Sequence, residues 1–290
     1  MKSNGRLATW SGAVLGTLMA LLLNSALAHA HDYDSDDDAP IVTEEFHHTY
    51  PLAASGRISL ENINGPVHIT AWDQNEVKLD AVKRAHSQER LKEAQIRVDA
   101  SQDEISITTK YPEHENWDRD DHHNPASVEY TLSVPRNVRL DEIKLINGAL
   151  DITGVGGEVH ASCINGKLIA HGLSGRAELA TINGKLDATF ERMAQPLELS
   201  SVNGSVDLTL PSDAKANIEA TTVHGGIEND FGLHSNDHRF VGHDLRGELG
   251  GGGTEIRLRN VNGRIEIHHA SDGRALSPAK DTGERSEGTV

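Results

Sequence analysis

The sequence predicts an all-β protein, a parallel β-solenoid or β-helix-like array of repeats of about 18–21 residues, capped at its N-terminal end by longer strands and one short helix. Three observations predict this class. An Asn-Gly pair preceded by Ile or Val recurs along the chain, alternating apolar residues flank each copy, and only 4% of the 290 residues are aromatic. A small-aliphatic core that recurs at a fixed period is typical of stacked repeats.

The repeat is clearest in residues 163–189, where Ile-Asn-Gly-Lys-Leu occurs twice, 18 residues apart. The copies are Asn64-Gly65, Asn147-Gly148, Asn165-Gly166, Asn183-Gly184, Asn203-Gly204 and Asn262-Gly263, with His224-Gly225 in the equivalent place. The steps between them are 83, 18, 18, 20, 21 and 38 residues. The last step equals two periods, which predicts one degenerate copy between His224 and Asn262.

Each copy reads as two short strands joined at a corner. Gly adopts positive φ without steric cost and Asn tolerates it, so the pair suits a tight turn. An antiparallel hairpin would use the same dipeptide. The short period favours parallel stacking instead, with Asn147, Asn165, Asn183 and Asn203 in one column and amide hydrogen bonds from coil to coil.

Aliphatic residues recur at five places relative to the Asn: six, four and one before it, and three and five after it. In the last copy these are Ile256, Leu258, Val261, Ile265 and Ile267. Alternation with period two predicts one buried face for each strand. The change of parity between minus four and minus one predicts a bend or bulge before the corner.

The 83-residue gap has a different pattern. Longer alternating strands are predicted at residues 77–82, 96–100, 105–109 and 128–134, with one short helix over residues 87–95 for which Ser87 is a candidate N-cap. We predict a capping β region at residues 44–140 and the repeat array at 141–269. Residues 250–253, all glycine, read as a flexible connection, and residues 270–290 as a disordered tail.

The N-terminal residues predict export. Lys2 and Arg6 precede an apolar run over residues 13–23 and small-residue cleavage sites near Ala28 or Ala30, so residues 1–30 read as a signal peptide. Residues 31–43 read as a disordered acidic and histidine-containing linker. The run is too short to span a bilayer, so no membrane insertion of the mature chain is expected.

The charge excludes two classes of partner. The formal net charge is −17, and loss of Lys2 and Arg6 with the signal peptide makes it −19. Such a chain repels nucleic acid and anionic lipid. The only cysteine, Cys163, allows no intrachain disulfide and lies far from the cleavage site, which excludes a lipid anchor there.

Taken together, residues 56–85, 128–140 and 251–268 and the Ile-Asn-Gly copies resemble the bacterial putative-adhesin β-strand-repeat family, a toastrack-type domain of unknown function. The resemblance covers residues 44–269. It implies a secreted or envelope-facing, right-handed, β-solenoid-like fold. Relatives that accompany membrane-stress regulators carry or adjoin a membrane segment, which this sequence lacks.

Two groups of residues are candidate metal sites. Four places after each Asn stands an acidic row interrupted once, formed by Asp151, Ile169, Asp187, Asp207, Glu228 and Glu266. Carboxylates on successive coils suit Ca²⁺. Lys167, Lys185 and Arg264, two places earlier on the same face, favour a charge-compensated, solvated surface instead.

The second group is a loop over residues 110–127. It contains His114, Asp118, Asp120, Asp121, His122 and His123, donors suited to a transition metal. Adjacent histidines in an extended chain do not readily face one ion, and the regular spacing of a structural zinc site is absent. A polar loop is the simpler interpretation, and no cofactor is predicted.

Catalysis is not predicted. The chain has no Ser-His-Asp arrangement, nucleotide-binding glycine loop or haem motif, and few aromatic platforms for a polysaccharide. Cys163 stands where other copies have Thr or Ser, so it reads as a small corner residue. The sequence thus predicts a non-enzymatic exported scaffold, periplasmic or at the cell surface, that binds an envelope or surface macromolecule. The alternatives are a periplasmic Zn/Cu/Ca-binding protein using residues 31–48 and 113–123, and, third, a polysaccharide-active β-helix enzyme.

Overall fold

Short alternating strands separated by Asn-Gly corners place successive parts of the chain in two sheets, whose buried faces share one hydrophobic core. The structure is a computed structural model that describes residues 41–112, 125–237 and 242–283. In chain order its strands are β1 Val42–Pro51, β2 Arg57–Asn64, β3 Val67–Trp72, β4 Glu76–Ala85, β5 Gln95–Ala100, β6 Glu104–Lys110, β7 Ser127–Pro135, β8 Arg139–Asn147, β9 Leu150–Thr153, β10 Val159–Asn165, β11 Leu168–Leu173, β12 Ala177–Asn183, β13 Leu186–Phe190, β14 Leu197–Asn203, β15 Val206–Leu210, β16 Ala216–His224, β17 Ile227–Asn229, β18 Ser235–Asp237, β19 His243–Leu249, β20 Thr254–Asn262, β21 Ile265–His269 and β22 Ala279–Asp281. The described helix is α1, Gln88–Glu93.

Within the described residues, the strands form a ten-stranded and a twelve-stranded sheet. The ten-stranded sheet has the order β1-β4-β7-β3-β9-β11-β13-β15-β21-β17. The twelve-stranded sheet has the order β18-β19-β16-β20-β14-β12-β10-β8-β2-β6-β5, with β22 beside β19. Each repeat gives one strand to each sheet, so the corners fall along one edge of the molecule.

The predicted parallel stack is confirmed. Strands β10, β12 and β14 pair in parallel, with Asn183 in register with Asn165 on one side and Asn203 on the other. Leu179 and Leu186, four before and three after the corner of their coil, are fully buried. Burying an aliphatic side chain of this size contributes about 1.5–3 kcal/mol, and here each coil supplies the surface that covers the next.

The order of the last coils differs from the prediction. Strand β14 pairs with β20, and β20 pairs with β16, so the Asn262 coil lies between those of Asn203 and His224. The predicted degenerate copy is therefore wrong. The intervening chain supplies β19, which pairs antiparallel with the edge of β16 that faces away from β20. Strand β20 of the final repeat lies between β14 and β16.

The predicted inward position one residue before the Asn is also wrong. The position two before the Asn is buried, as at Cys163 and Thr181, and the residue between it and the Asn points outward. Alternation therefore continues to the corner, and the register from Val159 and Ala177 to the paired asparagines shows no shift. The parity appeared to change because several of the inward residues are polar.

The N-terminal cap follows the prediction. The predicted strands appear as β4, β5, β6 and β7, and the Ser87 hydroxyl caps α1 by accepting a hydrogen bond from the Arg90 N–H at 3.3 Å. β6 pairs with β2, and β7 with β3, both in parallel. These two strands thus form one further coil beyond Asn64.

The predicted boundaries need two changes. β1 begins at Val42, inside the segment expected to be a linker. The expected disordered tail is wrong for its first part, because Ala279–Asp281 form β22 against β19 and Ser277 is buried with its hydroxyl donating to the Ala214 carbonyl at 2.7 Å. The predicted signal peptide and most of the linker lie outside the described residues, as do residues 284–290.

Candidate interaction surface

Five side-chain hydrogen bonds connect the asparagine corners. The Nδ2 group of each Asn donates to Oδ1 of the Asn in the preceding coil, at 2.9 Å in every case. In spatial order the column, hereafter the asparagine ladder, is Asn64, Asn147, Asn165, Asn183, Asn203 and Asn262. The four inner amides both donate and accept inside the column, whereas Asn64 only accepts and Asn262 only donates. These bonds fix the orientation of each amide and the position of its corner.

The glycine after each Asn is required by the closeness of the coils. The φ angle is +156° at Gly166 and +157° at Gly184. A Cβ atom at either position would overlap the carbonyl oxygen of the equivalent glycine in the neighbouring coil. The corner therefore needs Gly for close approach as well as for its backbone conformation.

Side chains two residues before the Asn reinforce the same edge from inside. The Cys163 Sγ–H donates to the Gly148 carbonyl at 3.2 Å, Thr181 to Gly166 at 3.4 Å, and Asn260 Nδ2 to Gly204 at 2.8 Å. Burial raises the pKa of the Cys163 thiol. A buried thiol that donates to a backbone carbonyl has the structural corner role predicted for it and lacks the lowered pKa of a nucleophile.

Outside the ladder lies a column of exposed aliphatic side chains, which we call the aliphatic ladder. Its members stand one residue before each corner and are 38–43% exposed: Ile146, Ile164, Ile182, Val202, Val261 and Val223. Neighbouring strands are about 4.8 Å apart, so six members extend over roughly 25 Å. Sequence reasoning placed these residues inside; the polar residues at the preceding inward position are the signal that would have placed them outside.

Small residues lie beside the middle of the aliphatic ladder. Ser162 and Ala180 occupy the next outward position of β10 and β12, and they floor a shallow depression. Its rim contains Lys144, His160 and Glu178. The result is an apolar strip with a mixed-charge border on a surface held by parallel strands.

The acidic row is present on the outer face of the ten-stranded sheet. Asp187 is in register with Asp207, and Asp207 with Glu266. Lys185 Nζ lies 2.9 Å from a carboxylate oxygen of Asp187 and 2.5 Å from one of Asp207. Hydrogen bonds to Asp207, which has the larger effect, and to Asp187 raise the pKa of Lys185 to about 12.

Basic side chains also lie beside other carboxylates of the acidic row. Arg264 Nε lies 2.9 Å from a Glu266 carboxylate oxygen, and the His68 ring lies 2.9 Å from Asp151. The row is thus a charge-compensated surface, as the alternating lysines and arginines predicted. In the part of the chain that the structure describes, no cluster of three or more metal-donor side chains is found.

The predicted His/Asp metal candidates His114, Asp118, Asp120, Asp121, His122 and His123 lie outside the described residues. The base of their loop is described. The Tyr111 hydroxyl donates to the Ala126 carbonyl at 2.7 Å, and burial raises the pKa of this phenol to about 12. The described base of the loop therefore lies at the end of the sheets next to Asn64, at one end of the asparagine ladder.

These features define a parallel β-repeat protein whose corners form one continuous edge. The asparagine ladder runs along this edge, and the aliphatic ladder lies beside it. The chain belongs to the Toastrack DUF4097 family, whose model matches residues 54–268. The resemblance inferred from the sequence is therefore confirmed. No curated protein matches the chain. None of the helices in the three described ranges has the length and apolar character needed to cross a membrane.

Three bacterial proteins are among the solved structures that match this chain. A "putative cell adhesion protein" from Clostridium sporogenes is 13% identical, with a TM-score of 0.47 over 80% of this chain and 100% of its own. A "putative adhesin" from Bacteroides fragilis is 10% identical, with a TM-score of 0.33 over 80% and 97%. A "putative adhesin" from Parabacteroides distasonis is 10% identical, with a TM-score of 0.27 over 80% and 98%.

Proposed function

We propose that this protein is a non-enzymatic, exported scaffold that binds an envelope or cell-surface macromolecule along the aliphatic ladder. The observation that carries the proposal is the run of six Ile and Val side chains, each about 40% exposed, in one column. Scattered exposed aliphatic residues are ordinary on a protein surface, whereas a contiguous apolar strip with a polar border is typical of an interaction site.

The backbone beneath the strip makes it suitable for binding a large partner. The asparagine ladder and the buried donors at Cys163, Thr181 and Asn260 hold the corners in register. A rigid surface loses little conformational entropy on association, which leaves more of the apolar burial available as affinity. The strip is open and long, a shape that fits an extended segment of a macromolecule better than a small ligand.

Site-specific photo-cross-linking in the intact envelope tests this function. A photoreactive residue replacing Ile182 is expected to give a discrete cross-linked product. The same residue replacing His171, exposed on the ten-stranded sheet, serves as the matched control and is expected to give none. The double variant Ile164→Ser/Val202→Ser removes the exposed aliphatic side chains on either side of the probe, so it should abolish the product while leaving the melting temperature nearly unchanged. Equal products from both probes, or none, would contradict the proposal.

A further inference from the structure

Strand β1 ends the ten-stranded sheet and differs from the other sheet edges. Among the described strands the other edges are β17, β18 and β22, with three residues each, and β5, with six, whereas β1 has ten. All ten residues pair with β4 without a register shift. Long, regular edges are normally shortened, bulged or covered, because their free backbone groups can pair with another strand.

The sequence of β1 is complementary to itself. If two copies run antiparallel with Phe46 opposite Phe46, then Glu45 faces His47, Glu44 faces His48, Thr43 faces Thr49 and Val42 faces Tyr50. Each pair joins residues of the same parity, so both side chains lie on the same face of the joined sheet. Opposite charges directly across an antiparallel pair stabilise it, and like charges destabilise it.

One face of β1 also carries aromatic groups that are only partly covered. Phe46 and Tyr50 are half-buried against the end of the core, and the His48 ring lies between them, with ring centroids 4.6 Å from Phe46 and 5.8 Å from Tyr50. On the same face Glu44 is held by Lys83, 2.7 Å from its carboxylate. A second β1 in this register would cover Phe46 with its own copy.

We propose that the partner of the β1 edge is a second copy of this chain, bound through antiparallel β1–β1 pairing about a two-fold axis at Phe46. The pairing joins the two ten-stranded sheets into one. A symmetric contact of this kind uses the same patch on both subunits and closes on itself. The Glu and His side chains also select the partner, because a strand without the matching order places like or unpaired charges at this edge.

The contact is small. One strand pair with a few aromatic side chains buries less than the roughly 1,200 Å² of a standard interface, so the dimer is expected to form reversibly and with rising concentration. Analytical ultracentrifugation of the full chain should show a mass that rises from the monomer toward twice that value as concentration increases.

The first test places like charges across the proposed pair without disturbing the monomer. Thr43 and Thr49 are exposed and lie beside Arg84 and Lys78 of β4. The double variant Thr43→Glu/Thr49→Glu should therefore leave the single chain folded. Between two copies it places one glutamate opposite another, so we expect the dissociation constant of the dimer to rise at least tenfold. Thr49→Glu alone faces Thr43 and is the matched control, with dimerisation close to that of the wild type.

The second test determines the register of the proposed β1–β1 pair. Thr43→Cys and Thr49→Cys, mixed and oxidised, should form a disulfide dimer, because residues opposite each other in an antiparallel pair have Cα atoms about 4.5–5.5 Å apart. Neither variant alone should cross-link, and the buried Cys163 should remain unmodified. A chain that stays monomeric at all concentrations, a dimer unaffected by the double Glu variant, or cross-linking of either Cys variant alone would overturn the proposal.

Discussion

The Asn262 side chain donates a hydrogen bond to Asn203 at 2.9 Å, although 59 residues separate the two. This bond joins the last repeat to a coil formed much earlier in the chain. Its geometry is the same as that of the bond between Asn183 and Asn165, which are only 18 residues apart. The geometry of a bond in the asparagine ladder therefore does not depend on how far apart its two residues are in the sequence. The contribution of one such bond to stability can be measured at any coil.

Replacing Asn183 removes two bonds of the ladder, one donated to Asn165 and one accepted from Asn203. We expect Asn183→Ala to lower the free energy of unfolding by about 1–3 kcal/mol, since two net hydrogen bonds are lost and each contributes about 0.5–1.5 kcal/mol. Asn183→Asp keeps the acceptor for Asn203 but sets a carboxylate oxygen against Asn165 Oδ1, so it should be no more stable than the alanine variant. Urea unfolding measures both, and an alanine variant as stable as the wild type would show that the ladder contributes nothing.

The corner glycine Gly166 should be far more sensitive to substitution than glycines with open space around them, such as Gly251 and Gly226. At Gly166 an added Cβ meets the Gly148 carbonyl and the φ angle is +156°, so Gly166→Ala should cost at least about 2 kcal/mol. At Gly251, φ is +85° with open space around the Cβ, and Gly251→Ala should cost about 1 kcal/mol. Gly226 has neither constraint, so Gly226→Ala should leave stability unchanged or slightly higher. A different ranking in thermal unfolding would refute this explanation.

The pKa of His47 should lie above its ordinary value of 6.5, because Asp80 hydrogen-bonds the ring at 2.7 Å and Glu45 does so at 3.1 Å. A raised folded-state pKa means that the protonated ring favours the folded state. Its contribution is complete below pH 6.5 and disappears as pH rises through the folded-state pKa. NMR titration of the ring measures this value. Asp80→Asn should lower it, whereas Asp99→Asn, on β5, should not.

Cys163 should react with thiol reagents only when the protein unfolds, because the side chain is buried and burial raises the pKa of its thiol. Cys163→Thr should be tolerated within about 1 kcal/mol, since Thr181 fills the same slot one coil away with the same kind of bond. Cys163→Val keeps the size but removes the donor to Gly148, and should be the less stable of the two variants. Rapid labelling of the folded wild type would contradict the structural role.

Metal binding by the His/Asp loop is the alternative function that the sequence leaves open. Titration calorimetry of the full chain with Zn²⁺, Cu²⁺ and Ca²⁺ is expected to show only weak, roughly millimolar binding, the range of loosely held extracellular cations. His122→Ala/His123→Ala is the control variant. A tight stoichiometric site that this variant abolishes would replace the interaction-scaffold function with metal binding.

Much of this fold could be predicted because its local rules repeat. The spacing of Asn165 and Asn183 and the aliphatic residues around them were sufficient for the parallel stack. The position of the Asn262 coil was not predictable from these rules, because its corner fits against any other coil equally well. What decides its place is β19, which occupies the far side of β16 and leaves only the near side for β20.

The candidate surface was harder to predict than the core. Ile182 and its equivalents are aliphatic and recur with the period of the repeat, so composition alone assigned them to the interior. Thr181 is polar yet buried, because the Gly166 carbonyl of the preceding coil accepts its hydrogen bond. Period and hydrophobicity do not show such a partner, which exists only after the coils have stacked.

The position of β20 between β14 and β16 also constrains the order in which the chain can fold during synthesis. As the chain emerges from its N-terminus, the coils up to Asn203 can add one after another, each on a finished neighbour. The His224 coil cannot take its final place then, since the strand that will separate it from Asn203 has not been synthesised. Completion of the stack must wait for residues 254–269, so a chain stalled before that point keeps an open strand edge at β14 where an unfinished neighbour could pair.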